Sequence, residues 1–294
     1  SLRSGCTLAE TVLLLRELRA PFFTGSIVPV AVGTAAAAWE AGRFDAVLFA
    51  ATLAGAMALH ASANVFNDLF DHLNGNDAAN DCYVRPFTGG SRLIQRGLLA
   101  PRDVAGLAVG CACLGVACGV YLWSRLGWPI AVLGAAGLLG GFFYSAPPVK
   151  LSARGWGEPS IGLLFGVLPA IGTFYVQAGR VTPTAWIVSL PVTGLIMAVI
   201  LINEFQDRTA DAAVGKRTWV VRLGLLRSVA VYGMLSVAWA VPVAVGVWLA
   251  WLPATCLAAL VGLVPAAYAV LWARRHYEEA RGLAPANALT IAAH

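Results

Sequence analysis

The chain has 294 residues, of which 59% are hydrophobic and only 12% are charged. A soluble domain carries about 25% charged residues, so this composition excludes an ordinary soluble protein. No polar stretch is long enough to fold separately, and we therefore expect residues 1–294 to form one all-α polytopic membrane domain. Three of the six cysteines, Cys111, Cys113 and Cys118, share one hydrophobic segment that has no nearby histidine or acid, which favours packing over metal binding.

The first element in chain order is TLAETVLLLRELRAP, which has the pattern of an amphipathic surface helix and not of a signal peptide. Hydrophobic segments follow that are long enough to cross a bilayer, which takes about 20 residues as a helix. We predict eight complete membrane-spanning helices, at residues 21–39, 44–66, 103–124, 128–146, 159–179, 184–204, 227–250 and 252–273. A possible ninth begins at ANALTIAAH and is cut off by the end of the chain.

The basic residues fall mostly on one side of this arrangement. The N-terminus and the loops after segments 2, 4, 6 and 8 hold seventeen of the twenty, and the opposite side holds only Arg43, Arg125 and Arg180. The positive-inside rule predicts that the basic side, with the N-terminus, is cytoplasmic. We expect a multi-pass protein of the cell (inner) membrane. The net charge of +5 then reflects topology, and no nucleic-acid partner is predicted.

The aspartates are concentrated on the same side. Of eight, four follow segment 2 (Asp68, Asp71, Asp77 and Asp81) and two follow segment 6 (Asp207 and Asp211). The two groups are four segments apart, which indicates two related four-helix halves in parallel topology.

Amide side chains accompany both groups. In NVFNDLFDHLNGND, residues 64–77, one helix face within about 100° of arc carries Asn64, Asn67, Asp68 and Asp71. In NEFQDRTADAAVGKRTWVVRLG, residues 203–224, the spacing i, i+4, i+8 places on one stripe Asn203, Asp207 and Asp211. Helix capping explains one such motif, but two at matching positions favour a site for Mg²⁺. That ion prefers oxygen ligands and combines one or two carboxylates with water and substrate phosphate oxygens.

Basic residues on this side include candidate phosphate ligands, although topology alone explains any single one of them. The only two lysines, Lys150 and Lys216, lie in loops beside the acidic motifs. We rank them as phosphate ligands above Arg85, Arg92, Arg154 and Arg217.

Three separated motifs, NVFNDLFDHLNGND, YSAPPVKL and DRTADAAVGKRT, together resemble the UbiA superfamily of intramembrane prenyltransferases, and the similarity covers nearly the whole chain. The resemblance implies a nine-helix bundle, of which the ninth helix is missing or incomplete here, and a central cavity capped by cytoplasmic loops. It also implies Mg²⁺-dependent transfer of a polyprenyl group from its diphosphate to an acceptor.

The form of the first motif is similar to the 1,4-dihydroxy-2-naphthoate branch of the family, in menaquinone biosynthesis. The 4-hydroxybenzoate branch usually has Arg where this chain has His72. Residues 83–101 are more basic than this branch leads us to expect, which leaves the acceptor open.

The expected mechanism uses two Mg²⁺ ions that bridge the diphosphate to Asp68, Asp71, Asp207 and Asp211, with support from Asn64, Asn67 and Asn203. Lys150 and Lys216 would clamp the phosphates while an electron-rich ring attacks the allylic cation. Three residues have two interpretations each: Asp77 serves the second motif or the acceptor, Tyr144 contacts the diphosphate or the membrane interface, and His60 is a packed polar residue or a base.

Other functions remain open from the sequence. A membrane terpene cyclase, or a prenyltransferase with a non-quinone acceptor, would use the same ionisation chemistry. A cation transporter would need acids near the bilayer centre and access from both sides, whereas the acids here lie on one side. Prenyl chain length and oligomeric state are not predicted.

Overall fold

The computed structural model describes residues 8–294, and over these residues every regular element is a helix. The α-helices are α1 Leu8–Glu17, α2 Thr24–Ala41, α3 Ala46–Leu73, α4 Asn76–Ala79, α5 Pro101–Leu126, α6 Trp128–Ser145, α7 Gly157–Gly162, α8 Leu168–Ala178, α9 Pro183–Ala213, α10 Trp219–Leu223, α11 Leu225–Ala238, α12 Ala240–Trp248, α13 Leu263–His276 and α14 Ala284–Ala293. A π-helical turn, Leu163–Val167, joins α7 to α8. Short 3₁₀ helices occupy Ala20–Phe23, Leu151–Ala153, Ala254–Gly262 and Arg281–Leu283.

The prediction of an all-α membrane bundle is confirmed. By length and composition, eight helical stretches of the described chain are able to cross a membrane, namely Glu10–Ala41, Ala46–Leu73, Pro101–Leu126, Trp128–Ser145, Gly157–Ala178, Pro183–Ala213, Leu225–Trp248 and Ala254–His276. The predicted ninth segment forms α14, which has 10 residues in this chain. The nine-helix bundle and the two four-helix halves stay predictions.

Two boundaries differ from the sequence prediction in a way that matters for function. Segments 2 and 6 were expected to end at residues 66 and 204, but α3 continues to Leu73 and α9 continues to Ala213. Hydrophobicity marks where a chain leaves the apolar layer, whereas a helix continues as long as its backbone bonds are satisfied. Both acidic motifs are therefore helical, as the helix-face argument assumed.

The N-terminal helix α1 is more buried against the protein than we expected of a surface helix. Leu13, Leu14 and Leu18 pack against a core cluster formed by α3, α5 and the loop before α5. Glu17 at the end of α1 is fully buried. Part of the apolar surface of α1 therefore packs on protein, while Val12 and Leu15 stay exposed.

Small residues bring the helices close together. A Cβ placed on Gly33 of α2 would lie 2.2 Å from the carbonyl oxygen of Ala170 in α8, and one on Gly166 would lie 2.6 Å from the Cα atom of Thr193 in α9. Membrane helices associate through such close backbone approach, because lipid provides no hydrophobic drive between them. These contacts fix α2, α8 and α9 around the centre of the bundle.

The acid-bearing ends of α3 and α9 lie side by side. Lys216, three residues after α9, reaches Asp71 in the last turn of α3, with 2.7 Å between Nζ and Oδ1. Asn80, which follows α4, reaches Asp207 of α9, with 2.7 Å between Nδ2 and Oδ1. The two motifs, distant in sequence, therefore meet at one end of the bundle.

Candidate active site

A cavity of about 1100 Å³, which we call the polar cavity, opens between the acid-bearing ends of α3 and α9. Nine of the residues singled out in the sequence line it, from both motifs, from the middle of α3 and from the end of α6: His60, Asn64, Asn67, Asp68, Asp71, Asp77, Tyr144, Asn203 and Asp207. Phe87, Thr88, Gly89 and Gly90 also line it, so part of the basic loop at residues 83–101 forms the wall, as expected.

Asp68 is held from two sides. Its Oδ1 atom accepts from the Arg19 guanidinium at 3.3 Å, and its Oδ2 atom accepts from the backbone N–H of Ser91 at 2.8 Å. Gly90 makes this approach possible, since its φ is +62° and a Cβ there would lie 2.8 Å from Asp68 Oδ1. The loop can close on the carboxylate only because residue 90 has no side chain.

Asp71 is the meeting point of the two motifs. Its Oδ2 atom accepts from Asn67 Nδ2 at 3.3 Å, and Asn67 also donates to Ser145 Oγ at 2.8 Å. Lys216 contacts Asp71 Oδ1 at 2.7 Å and Asp211 Oδ1 at 3.8 Å. Burial alone would lower the pKa of Lys216, but the carboxylates of Asp71 and Asp211 outweigh it and raise that pKa above its usual range. Lys216 therefore stays charged at neutral pH.

The second motif has its own polar neighbours. Asp207 accepts from Asn80, as described above, and Asn203 Oδ1 accepts from Asn287 Nδ2 of α14 at 2.6 Å. Gln206 Nε2 donates in turn to Asn287 Oδ1 at 2.8 Å. Helix α14 thereby orients the first residue of the motif.

Asp77 lies on the wall of the polar cavity beyond the end of α3. Its Oδ2 atom accepts from Gln95 Nε2 at 2.6 Å, and its backbone carbonyl accepts from Arg92 at 2.6 Å. Burial, with the nearby charges of Asp71 and Asp68, raises the pKa of Asp77 to about 7. The Asp77 carboxyl group therefore titrates near neutral pH.

None of the predicted cations lines the polar cavity, although Lys216 contacts Asp71, which does. Lys150 Nζ donates to Asn74 Oδ1 at 2.7 Å, outside the cavity wall. Arg154 donates to the carbonyl of Pro148 at 2.8 Å, and Arg85 donates to the carbonyl of Ser91 at 3.0 Å. Asp211 is also behind the wall, but Lys216 connects it to Asp71.

Several residues at the site were not predicted. Arg19 was counted only as a topology signal, and Asn80 and Ser91 lie on a loop whose path has no local sequence pattern. Glu158 and Glu204 are also buried. Glu204 did have a signal, because an acid within a membrane-spanning helix is a functional-site hypothesis by default.

The donor set suits Mg²⁺. Four carboxylates surround the polar cavity, whereas the ion pairs supply two cations, Arg19 and Lys216. Asn76 Oδ1 is a buried oxygen with no hydrogen-bond partner, so it is available to a cation, whereas the unpartnered Asn64 Nδ2 is an N–H group suited to a phosphate oxygen. Mg²⁺ in proteins usually takes one or two carboxylates and completes its shell with water and phosphate oxygens. Within residues 8–294, no group of three His, Cys, Asp or Glu side chains forms a complete ligand set.

A second cavity, the apolar cavity, lies next to the first and has about 930 Å³. Both cavities are lined by His60, Ala63, Gly141, Leu164 and Phe165. His60 Nδ1 is hydrogen-bonded to Ser26 Oγ at 2.8 Å, and its ring lies 4.6 Å from the ring of Phe165. The five shared residues form a common wall, so a charged compartment lies directly beside an apolar one.

Comparison with known proteins gives matches to prenyltransferases. Residues 26–291 match the model of the UbiA prenyltransferase family. The chain is 26% identical over 212 residues to the 1,4-dihydroxy-2-naphthoate octaprenyltransferase of Bacillus subtilis, covering 72% of this chain and 66% of that protein. It is 35% identical over 216 residues to the enzyme of the same name from Mycobacterium tuberculosis, covering 72% and 70%. The matched part thus spans about two thirds of these relatives.

The fold is similar to that of a UbiA homolog from Archaeoglobus fulgidus solved bound to DMAPP and Mg²⁺. The TM-score is 0.67 at 16% sequence identity, and the match covers 95% of this chain and 96% of that one.

Proposed function

Because the chain belongs to the UbiA prenyltransferase family, we propose that it transfers a polyprenyl group from its diphosphate to an aromatic acceptor in the membrane. The proposed acceptor is 1,4-dihydroxy-2-naphthoate, in menaquinone biosynthesis, which is supported by the names of the relatives. The observation that carries the proposal is that the polar and apolar cavities are adjacent and share five lining residues. A prenyl diphosphate has a charged head and an apolar tail, which match these two neighbouring compartments.

The head group would lie among the four motif aspartates. Asp68 and Asp71 on α3, with Asp207 and Asp211 on α9, are the residues that would hold Mg²⁺, and two ions are proposed. Bound Mg²⁺ supplies charge that stabilises the leaving diphosphate. The proposed phosphate-binding cations are Arg19, which lines the polar cavity, and Lys216, which contacts the motif carboxylate of Asp71.

The protein then promotes ionisation of the prenyl diphosphate and protects the allylic carbocation that results. The allylic C–O bond breaks, and its electron pair leaves with the diphosphate. A ring carbon of the acceptor then bonds to the allylic carbon, and the hydrogen on that ring carbon leaves as a proton, accepted by the released diphosphate, which restores the aromatic ring. Phe22, Phe87 and Phe165 line the polar cavity, and their ring faces favour a nearby carbocation. The apolar walls keep water from capturing that cation.

The orientation follows from the basic residues. The acidic ends of α3 and α9 lie on the side that holds seventeen of the twenty basic residues, and the positive-inside rule makes this side cytoplasmic. We propose a multi-pass protein of the cell membrane that takes its acceptor from the cytoplasmic side. Ion transport is disfavoured, since it needs acids that are reached from both sides.

The test is incubation of the purified full chain with geranylgeranyl diphosphate and 1,4-dihydroxy-2-naphthoate, 4-hydroxybenzoate or homogentisate, read by mass spectrometry. We expect a prenylated naphthoate product in the presence of Mg²⁺ and none with EDTA. Prenylation of 4-hydroxybenzoate or homogentisate alone would contradict the acceptor. A cyclic hydrocarbon formed without any acceptor would contradict the transfer reaction itself.

A further inference from the structure

Three arginines from three different segments line one surface cavity of about 800 Å³. Arg154 follows the 3₁₀ helix Leu151–Ala153, Arg217 lies between α9 and α10, and Arg222 belongs to α10. Trp156 and Trp219 complete the walls. None of these five residues lines the polar cavity, so this basic cavity is a separate feature of the molecule.

The three guanidinium groups lack acidic partners. Across residues 8–294, no carboxylate lies within salt-bridge distance of Arg154, Arg217 or Arg222, and all three side chains are exposed. Glu158, the acid nearest in sequence to Arg154, is buried and accepts from the backbone N–H of Trp219. The positive-inside rule accounts for arginines on this side of the protein. It does not account for three unpaired ones that converge on one cavity.

The walls of the basic cavity are built by backbone contacts between two loops. The backbone N–H of Arg217 donates to the carbonyl of Ala153 at 2.9 Å, and the indole N–H of Trp219 donates to the carbonyl of Gly155 at 3.2 Å. Gly155 has a φ of +79°, and a Cβ there would lie 2.3 Å from NH1 of Arg222. The guanidinium of Arg222 therefore rests directly on the Gly155 backbone, a position that any side chain at residue 155 would block.

The basic cavity lies where a helix enters the membrane. Trp156 is 63% exposed and immediately precedes the spanning stretch Gly157–Ala178. Exposed tryptophans at span ends typically lie at the level of the lipid headgroups. Arginine binds phosphate through two parallel N–H···O bonds, and basic clusters next to a span attract anionic lipid.

From these observations we infer that the basic cavity binds the phosphate of an anionic phospholipid headgroup. The inference does not depend on the proposed function, because it concerns binding at a different place. It has one consequence for the polar cavity. The loops that form the basic cavity also carry Lys150 and Lys216, so a bound phospholipid joins these two loops from outside.

The experiment measures lipid retention by native mass spectrometry on the full chain extracted from nanodiscs with equal phosphatidylglycerol and phosphatidylcholine. We expect the wild type to retain phosphatidylglycerol about tenfold over phosphatidylcholine, and the variant R154Q/R217Q/R222Q to lose this preference. The matched control is R274Q/R275Q/R281Q, which removes the same charge from exposed arginines on the same side. The control should keep the preference.

The single variant R217Q covers the case in which the triple variant fails to fold, since the Arg217 side chain is exposed. It should reduce the preference by itself. An unchanged preference in R217Q and the triple variant, or an equal loss in the control, would overturn the inference. A final arm adds inorganic pyrophosphate. Retention of pyrophosphate by the wild type, together with no preference for phosphatidylglycerol in the absence of pyrophosphate, would assign the cavity to free phosphate compounds and overturn the lipid assignment.

Discussion

Three cations at the acid-bearing end of the bundle adopt a backbone conformation that residues with side chains rarely take. Arg19, Arg92 and Lys150 have φ values of 56°, 61° and 46°. The left-handed conformation costs about 1–2 kcal/mol for a residue with a Cβ, so surrounding contacts must hold each one. Such strain concentrates at functional sites, and Arg19 and Arg92 both bond to groups at the polar cavity.

The contact between His60 and Ser26 gives a prediction about stability. Both side chains are buried and bond to each other. In H60L, Ser26 Oγ loses its partner, which costs about 1–3 kcal/mol for a buried hydroxyl. We expect a lower melting temperature in detergent. The double variant S26A/H60L should recover part of the loss, whereas strictly additive effects would show that the bond contributes nothing.

Asp77 gives a prediction about pH. Its pKa of about 7 lies above the ordinary value for aspartate, so the contribution of Asp77 to stability is fully present at low pH and is lost as pH rises towards 7. In D77N this loss is removed. We expect the melting temperature of D77N, relative to wild type in EDTA, to be higher at pH 7.5 than at pH 5. An equal difference at the two pH values would contradict the assignment.

At the scale of elements, the loop after α9 is held by the start of α7. Glu158 at that start accepts from the backbone N–H of Trp219, three residues beyond Lys216. The same loop bonds to Ala153 and Gly155, in the loop that carries Lys150. Glu158 itself does not line the polar cavity. It positions Lys216, the cation that contacts Asp71.

We predict that E158A raises KM for the prenyl diphosphate about tenfold. Without the Glu158 carboxylate, Lys216 is no longer held in position, and substrate binding is weaker. E158Q should retain most of the wild-type KM, since a glutamine carbonyl oxygen still accepts from Trp219. Steady-state kinetics of both variants are the measurement. An unchanged KM in E158A, or equal effects of the two substitutions, would contradict a positioning role.

The close approach of α2 and α8 gives a second prediction at this scale. In G33A the new methyl group would meet the Ala170 carbonyl, so the two helices must move apart and packing is lost. We expect a clear fall in melting temperature. Gly110 in α5 is the matched control, because a Cβ there has no neighbour within 4 Å. G110A should be neutral or slightly stabilising, and an equal fall in both variants would contradict the packing argument.

At the scale of the whole molecule, hydrophobicity alone was sufficient to predict the eight spanning stretches, because a bilayer imposes their length. The periodicity of an α-helix was sufficient to place Asn64, Asn67, Asp68 and Asp71 on one face, and all four line the polar cavity. Both results depend on local rules that a sequence contains directly.

These local rules do not predict contacts between residues that are far apart in the sequence. Arg19 pairs with Asp68, and Lys216 with Asp71, across 49 and 145 residues of sequence. Lys216 was predicted because lysine is rare in this chain, but Arg19 was hidden among basic residues that topology already explains. The sequence could not separate functional arginines from those that set the topology. Arg85 and Arg154 were therefore included as candidate phosphate ligands, although neither lies in the wall of the polar cavity.

The central claim is that α3 and α9 form one diphosphate site, and the most direct test is diphosphate release from geranylgeranyl diphosphate in the presence of acceptor. D71N and D211N each remove a carboxylate from one motif, and we expect each to slow release about 10²–10³-fold. D81N is the control, since Asp81 is exposed on the same side and does not line the polar cavity. It should release diphosphate at the wild-type rate. Full activity in D71N or D211N would contradict a site shared by the two helices.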